Sequence, residues 1–356
     1  MTSAQTGRVN EIDLLRFLAA LSVVFFHYSF RGYAADNMTV MSYPLLASVS
    51  KYGYLGVKLF FMISGFVILM TAASGNLRNF IISRIVRLYP TFWACCTLTF
   101  AVIITFGAPR YYASVNQYLV NMTMLSGFFD ISSIDGAYWS LFIELQFYTF
   151  VAIILIIGKI HQAQTLLLLW LVASVALVIH PIWKLNQLLL TSNSTYFIAG
   201  ATYFLIWSKG LSQIRVAIVT VSWWLAVFQS TSIYELGWFE NHYNTSISSY
   251  ITAAIITAFF AIMMLISLRR SGLFARSRWT LLGALTYPLY LIHQNIGFIV
   301  FNASYPAYNA HLIFWGTLVA ALVSAYAVHI LIEMRYSPII KAALNKLIDS
   351  MSSHRA

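Results

Sequence analysis

The chain has 356 residues, of which 60% are hydrophobic and only 9% charged, with a mean hydropathy of +0.77. These values exclude a water-soluble globular domain and a disordered chain, and they imply a polytopic membrane protein. The net charge of +11 would suit a nucleic-acid binder if it were clustered, but its distribution along the chain assigns it to membrane topology instead.

Windows of about 20 apolar residues, the length that crosses a hydrocarbon core of about 30 Å, predict ten helices. They lie near 12–30, 54–72, 91–107, 138–157, 165–183, 192–208, 214–230, 248–268, 281–301 and 311–332. The sixth opens on the polar "SNSTY" and has the weakest apolar signal. Before the first, Glu11 and Asp13 stand against Arg8, whereas a secretory leader is positive there. Asn10 reads as a helix N-cap with Asp13 in the first turn, both favourable at the positive end of the dipole. With no internal repeat, low-complexity tract or long linker, residues 1–356 read as a single membrane-embedded domain.

Ten spans with a cytoplasmic N-terminus put fifteen of the 21 Lys and Arg on one side, Arg16 within the first span, and five (Arg31, Lys51, Lys58, Arg110, Lys184) on the other. This bias places both termini in the cytoplasm and leaves no role for nucleic acid. Asp36, Asp130, Asp135, Glu235 and Glu240 fall in outward loops. Cys95 and Cys96 are adjacent in the third span, too close for an unstrained disulfide, and are expected to face lipid or core.

The first span, "LLRFLAALSVVFFHY" at 14–28, holds two ionisable groups, Arg16 and His27, eleven residues apart. That is about three helical turns, so both project from one face with about 16 Å between them. A plain structural reading has Arg16 snorkelling to headgroups or pairing with Asp13, and His27 bonding a neighbouring helix. The functional reading is that ionisable groups inside a membrane mark a site. Glu144 is the one acid placed well within an apolar segment, with His27 or Arg16 as its expected partner. Tyr138 and Trp139, taken alone, suit an interfacial belt. His180, His311 and His329 carry no motif and are expected to be interfacial or packed. No His or Cys spacing fits a metal site, and no Gly-x-Ser-x-Gly elbow is present. Ser64 beside Gly65 reads as close helix packing.

Five stretches, in order, resemble the membrane-bound acyltransferase-3 family, the ten-span O-acyltransferases of bacterial surface glycans and some small molecules. Arg16 to His27 looks like its first-helix Arg-x10-His signature, and "GYLGVKLFFMISGF" (53–66) is similar to its second-helix motif. "RIVRLYP" (84–90) resembles its Arg-x-x-Arg element followed by proline, "YWSLFIELQFY" (138–148) its Trp-Ser-Leu-x-x-Glu motif, and "TYPLYLIH" (286–293) its ninth-helix segment. Glu333 falls where the family tends to carry an acid. Lys58 departs from the pattern, which is often acidic at that position, and takes no family role.

The resemblance implies an O-acyltransferase of the bacterial inner membrane with no tightly bound cofactor and no metal. It would move an acyl group, most simply acetyl, from acyl-CoA to a hydroxyl of a glycan or lipid-linked saccharide among the membrane lipids. Such transfer needs a base for the hydroxyl proton, and imidazole is the side chain that titrates nearest neutrality. His27 is the expected base, with Glu144 as an acid able to orient it. Arg84 and Arg87 share a helical face and offer forked donors to the phosphates of acyl-CoA, although as plain interface anchors they would need no ligand. Arg16, Tyr89, Trp139 and Ser140 join them on the donor side, with His293 and Tyr287 on the acceptor side. A transporter or flippase also tolerates a few intramembrane charges; its mark, helices broken in matching halves of an inverted repeat, is not read in this sequence.

Overall fold

A computed structural model of the chain describes residues 9–35 and 37–353. Arg8, Asp36 and Arg355, used above for topology, lie outside the described residues. Among those described, the structure is helical without strands. Helix α1 (Asn10–Phe26) runs directly into a π-helical turn, His27–Arg31. The other principal helices are α2 (Gly56–Ala72), α3 (Leu77–Phe106), α4 (Trp139–Ile156), α5 (Ala163–Ile179) and α6 (Thr191–Lys209). They continue with α7 (Gln213–Ser230), α8 (Ser249–Ser267), α9 (Thr280–Ile292), α10 (Gln294–Ser304), α11 (Ala310–Val328) and α12 (Met334–Ser353).

Seven helical stretches are long and apolar enough to cross a membrane, or eight if the bent pair Gln213–Ser230 and Ile233–Tyr243 is one span. The protein is therefore an all-helical, multi-pass membrane protein. Even with that pair counted as one span, two of the ten expected spans fall short of this measure. Helix α6 has 19 residues but is rich in Ser, Thr, Asn and Tyr, and the segment 281–301 breaks at His293 into α9 and α10. The third span starts at Leu77 rather than near 91, because the charged turns carrying Arg78, Arg84 and Arg87 are helical without being apolar. Asn76 sets that start: its side chain accepts from the Asn79 N–H at 2.9 Å.

The chain divides into two compact units. The first comprises the residues up to Phe26 with 46–75 and 146–283. Helix α6 is its hub, packing against α2, α5, α7 and α8, and it is buried continuously from Asn193 to Ile206. Its hydroxyls bond neighbouring helices: Ser194 meets Ser174 on α5 at 2.8 Å, Tyr196 meets Ser230 on α7 at 3.0 Å, and Tyr203 donates to the Phe260 carbonyl on α8 at 2.7 Å. A helix covered by protein on all sides has no lipid to meet, which accounts for its low hydropathy. Helices α2 and α6 approach through Gly65 and Gly200. A Cβ on Gly200 would fall inside the Met62 carbonyl, and one on Gly65 inside that of Phe197. Lys58 on α2 donates to Asn193 Oδ1 at 3.0 Å. At the start of α1, Asn10 is already helical and does not cap; its Nδ2 donates to the Ala275 carbonyl at 3.1 Å. Glu11, which accepts from the Ser271 hydroxyl, and Asp13 are both buried.

The second unit comprises 27–45, 76–145 and 284–356. Here α10 packs against α3, α11 and the π turn, while α12 lies along α3. Arg78 of α3 fastens that contact, 2.6 Å from Asp349 and 3.0 Å from both the carbonyl and the side chain of Asn345. Cys95 and Cys96 are buried free thiols, so of the two expected placements the core is the one found. A second π turn, His329–Glu333, joins α11 to α12, and His329 Nδ1 sits 2.7 Å from Glu333 Oε2. His311 Nδ1 lies 2.7 Å from the Tyr43 hydroxyl, and His180, in the first unit, is exposed.

Candidate active site

The second unit brings two buried histidines together. His27 is the first residue of the π turn after α1, and single π turns inside α-helices occur preferentially at functional sites. His293 is the residue at which α9 gives way to α10. Nδ1 of His27 lies 2.7 Å from Nε2 of His293, with ring centroids 4.9 Å apart. His27 is 6% exposed and His293 fully buried.

The segment bearing His293 is held from several directions. His293 Nδ1 is 2.9 Å from the Tyr290 carbonyl and 3.2 Å from that of Leu289. Tyr28, next to His27, donates its hydroxyl to the His293 carbonyl at 2.9 Å, and Tyr138 donates to the Leu291 carbonyl at 3.1 Å. The Tyr290 hydroxyl donates to the Ala137 carbonyl at 3.1 Å and lies 2.7 Å from Ser140 Oγ. Gly297 permits the approach of Tyr28, whose ring occupies the place where a Cβ would stand.

Beside this pair lies a polar cluster built on Asp135. The carboxylate is fully buried; Oδ1 accepts from the Ala137 N–H and Oδ2 from the Asn295 N–H, each at 2.9 Å. Asn295 Nδ2 donates in turn to the Ile134 carbonyl at 2.9 Å, and Arg31 donates to Gln294 at 3.3 Å. Burial pushes the Asp135 carboxyl up to about 6, against the opposing pull of its two backbone donors and of Arg31. An aspartate expected in an outward loop thus proves to be fully buried, while Glu144, expected to be the intramembrane acid, is half-buried. The reason is local: Asp135 caps the turn Gly136–Tyr138, and that turn is clamped against α9 and α10 by Tyr138, Tyr290 and Asn295.

The remaining expected site residues are placed as follows. Ser140 joins the cluster through Tyr290, whereas Trp139 is 48% exposed. Glu144 follows Ser140 by one turn of α4, and the His293 imidazole stands at hydrogen-bond distance from His27 Nδ1. Arg84 and Arg87 are half-buried on α3, and Arg84 Nε lies 3.2 Å from Ser83 Oγ. Tyr89 donates to the Thr123 carbonyl at 3.2 Å, and Tyr287 to the Leu88 carbonyl at 3.4 Å. Tyr287 thereby ties α9 to the α3 segment carrying the two arginines. Tyr287, Tyr290 and His293 follow one another at three-residue steps, so one side of α9 connects that segment with the histidine pair over about 9 Å. Arg16 belongs to the first unit and is half-buried on α1. Among the described residues no group of three or more His, Cys, Asp or Glu side chains is arranged to hold a metal ion.

Tyr28, Asp135, Tyr290, Gln294 and Asn295 were not singled out from sequence. Tyr28 lies inside the apolar run 14–28 and Tyr290 inside "TYPLYLIH" (286–293), whereas Asp135 offers only an Asp-Gly pair, which reads as a turn.

The chain is 26% identical over 320 residues to Nodulation protein 10 of Rhizobium leguminosarum bv. viciae, covering 81% of this chain and 83% of that relative. It is 27% identical over 154 residues to "Putative acetyltransferase ORF330" of Acidianus two-tailed virus, covering 43% of each. No solved structure matches. A family model described as an acyltransferase domain matches residues 9–334, and with nearly the whole chain covered, the protein belongs to the acyltransferase-3 family.

Proposed function

We propose that the protein is an O-acyltransferase that moves an acetyl group from cytoplasmic acetyl-CoA to a hydroxyl of a glycan or lipid-linked saccharide at the bacterial inner membrane, with His27 as general base. The observation that carries this reading is the buried, hydrogen-bonded His27–His293 pair in a chain of an acyltransferase family. The acceptor hydroxyl gives its proton to His27 as its oxygen attacks the thioester carbonyl. The C–S bond then breaks, and the departing CoA thiolate takes the proton back, leaving an ester and free CoA. Arg84 and Arg87 hold the donor's phosphates through charge-assisted hydrogen bonds. Tyr287 and His293 belong to the acceptor side, and the Tyr287 bond to the Leu88 carbonyl, which ties α9 to the α3 segment carrying those arginines, supports bringing donor and acceptor together at His27. Tyr89, Ser140 and Trp139 complete the donor side in this reading. The name of the viral relative supports acetyl as the group transferred.

The test is release of free CoA from acetyl-CoA by purified protein in nanodiscs, with and without a crude glycan acceptor. His27→Ala is expected to lower kcat by about 10²–10⁴-fold, the usual share of a general base, while still binding acetyl-CoA. Arg84→Ala is expected to raise KM for acetyl-CoA roughly tenfold or more, the value of a lost hydrogen bond to a charged group. A wild-type protein that neither binds nor consumes acetyl-CoA or longer acyl-CoAs overturns the reading. Labelled acyl group trapped on His27 without acceptor would replace direct transfer by a covalent route.

A further inference from the structure

The proton positions in the histidine pair follow from what surrounds it. The two groups facing His293 Nδ1 are the carbonyls of Tyr290 and Leu289, at 2.9 and 3.2 Å. A carbonyl only accepts, so Nδ1 carries the hydrogen. A neutral imidazole has one N–H and one lone pair, so His293 Nε2 is an acceptor. The 2.7 Å contact between that atom and His27 Nδ1 needs a hydrogen between them, and only His27 can supply it. His27 is therefore the Nδ1–H tautomer, and its lone pair is on Nε2.

Resting on the reading of His27 as the base, we propose that His293 is a positioning residue that locks His27 in this tautomer and fixes Nε2 as the atom that receives the acceptor's proton. When Nε2 is protonated, His27 becomes an imidazolium whose Nδ1–H still points at the His293 lone pair. The cation is held by an acceptor instead of being left bare in a buried site. The backbone carries the lock. The Tyr290 and Leu289 carbonyls fix one nitrogen of His293, the hydroxyl of Tyr28 holds its carbonyl at 2.9 Å, and the Tyr138 bond to Leu291 keeps the end of α9 in place. An Asp or Glu at Nδ1 would also choose this tautomer, but would add a buried charge; a neutral imidazole chooses it without one.

Two measurements test the assignment. Nitrogen-15 chemical shifts of wild-type protein labelled at histidine in nanodiscs, with His27 assigned by difference against His27→Gln, are expected to show a protonated Nδ1 and an unprotonated Nε2 at neutral pH. This needs no active enzyme and no variant at 293. CoA release by His293→Leu is then expected to show kcat lowered by about 10²–10⁴-fold with an unchanged KM for acetyl-CoA. His293→Gln, whose Oε1 can accept from His27 Nδ1–H, is expected to stay within about tenfold of wild type. A His27 protonated on Nε2 overturns the inference, as does a His293→Leu enzyme with wild-type kcat or a glutamine variant no better than leucine. An Nδ1–H His27 in a wild-type protein that consumes no acyl-CoA would instead remove the acyltransfer reading and leave the tautomer lock standing.

Discussion

The core around α6 and the core around His293 are both buried in membrane-spanning protein, yet they are closed by different physics. Around α6, backbones come together because Gly65 and Gly200 leave no side chain between α2 and α6, and hydroxyls make single bonds across to neighbouring helices. This is the usual way to pack helices where lipid is as apolar as leucine and the hydrophobic effect drives nothing. Around His293 the contacts are side chains bonded to backbone carbonyls: Tyr28 and Tyr138 each satisfy one at the helix break, and Tyr290 satisfies that of Ala137 in the adjoining turn. The first arrangement resists any added atom, while the second depends on which polar atom stands where. The difference separates a structural scaffold from a place where protons can be positioned.

Three substitutions sharpen that contrast. The largest effect is expected from Gly200→Leu, whose Cβ would meet the Met62 carbonyl. Overpacking against movable side chains costs about 1–3 kcal/mol; against backbone it should exceed that and abolish monodisperse protein in detergent. A Gly200→Leu protein melting near wild type would show that α2 and α6 can separate at little cost.

A smaller, pH-dependent effect is expected at Asp135. Its carboxyl titrates at about 6 in the native state against an ordinary value of 3.8. The native state therefore binds more proton between those values, so stability is greatest at the acid end, falls as pH rises from about 4 to 6, and is level above. The span corresponds to about 3 kcal/mol. Asp135→Asn, which keeps an oxygen for the Ala137 N–H, should flatten this part of the melting curve against pH. An unchanged slope would assign it to another group. Least is expected of Ser140→Ala: it removes one hydroxyl from Tyr290, which keeps the Ala137 carbonyl, and should cost about 1 kcal/mol in thermal unfolding. A loss several times larger would mean that the Ser140–Tyr290 contact organises the whole clamp on α9.

Much of this was legible in the sequence for identifiable reasons. Arg16 and His27 stand out because an ionisable group in an apolar run is costly, and "TYPLYLIH" drew attention to His293 before any contact was known. Helix α6 was hard to read because being covered by protein relaxes the demand for apolar residues on which a hydropathy window relies. The start of α3 was missed for a related reason: helical turns beyond the apolar stretch leave no mark on hydropathy. Asp135 reads from sequence only as a loop residue; its burial depends on that loop folding back onto α9 and α10, which the local sequence does not show.

Solvent, helical class and family are written in the residues alone, since these depend on composition, on runs about one bilayer long and on short motifs with fixed spacing. The folded chain alone brings His27 to His293, two residues 266 positions apart, and sets His293 Nδ1 against the carbonyls of Tyr290 and Leu289. Which atom a histidine faces depends on the π turn after α1 and the break between α9 and α10, and neither backbone irregularity is written in the spacing of apolar residues.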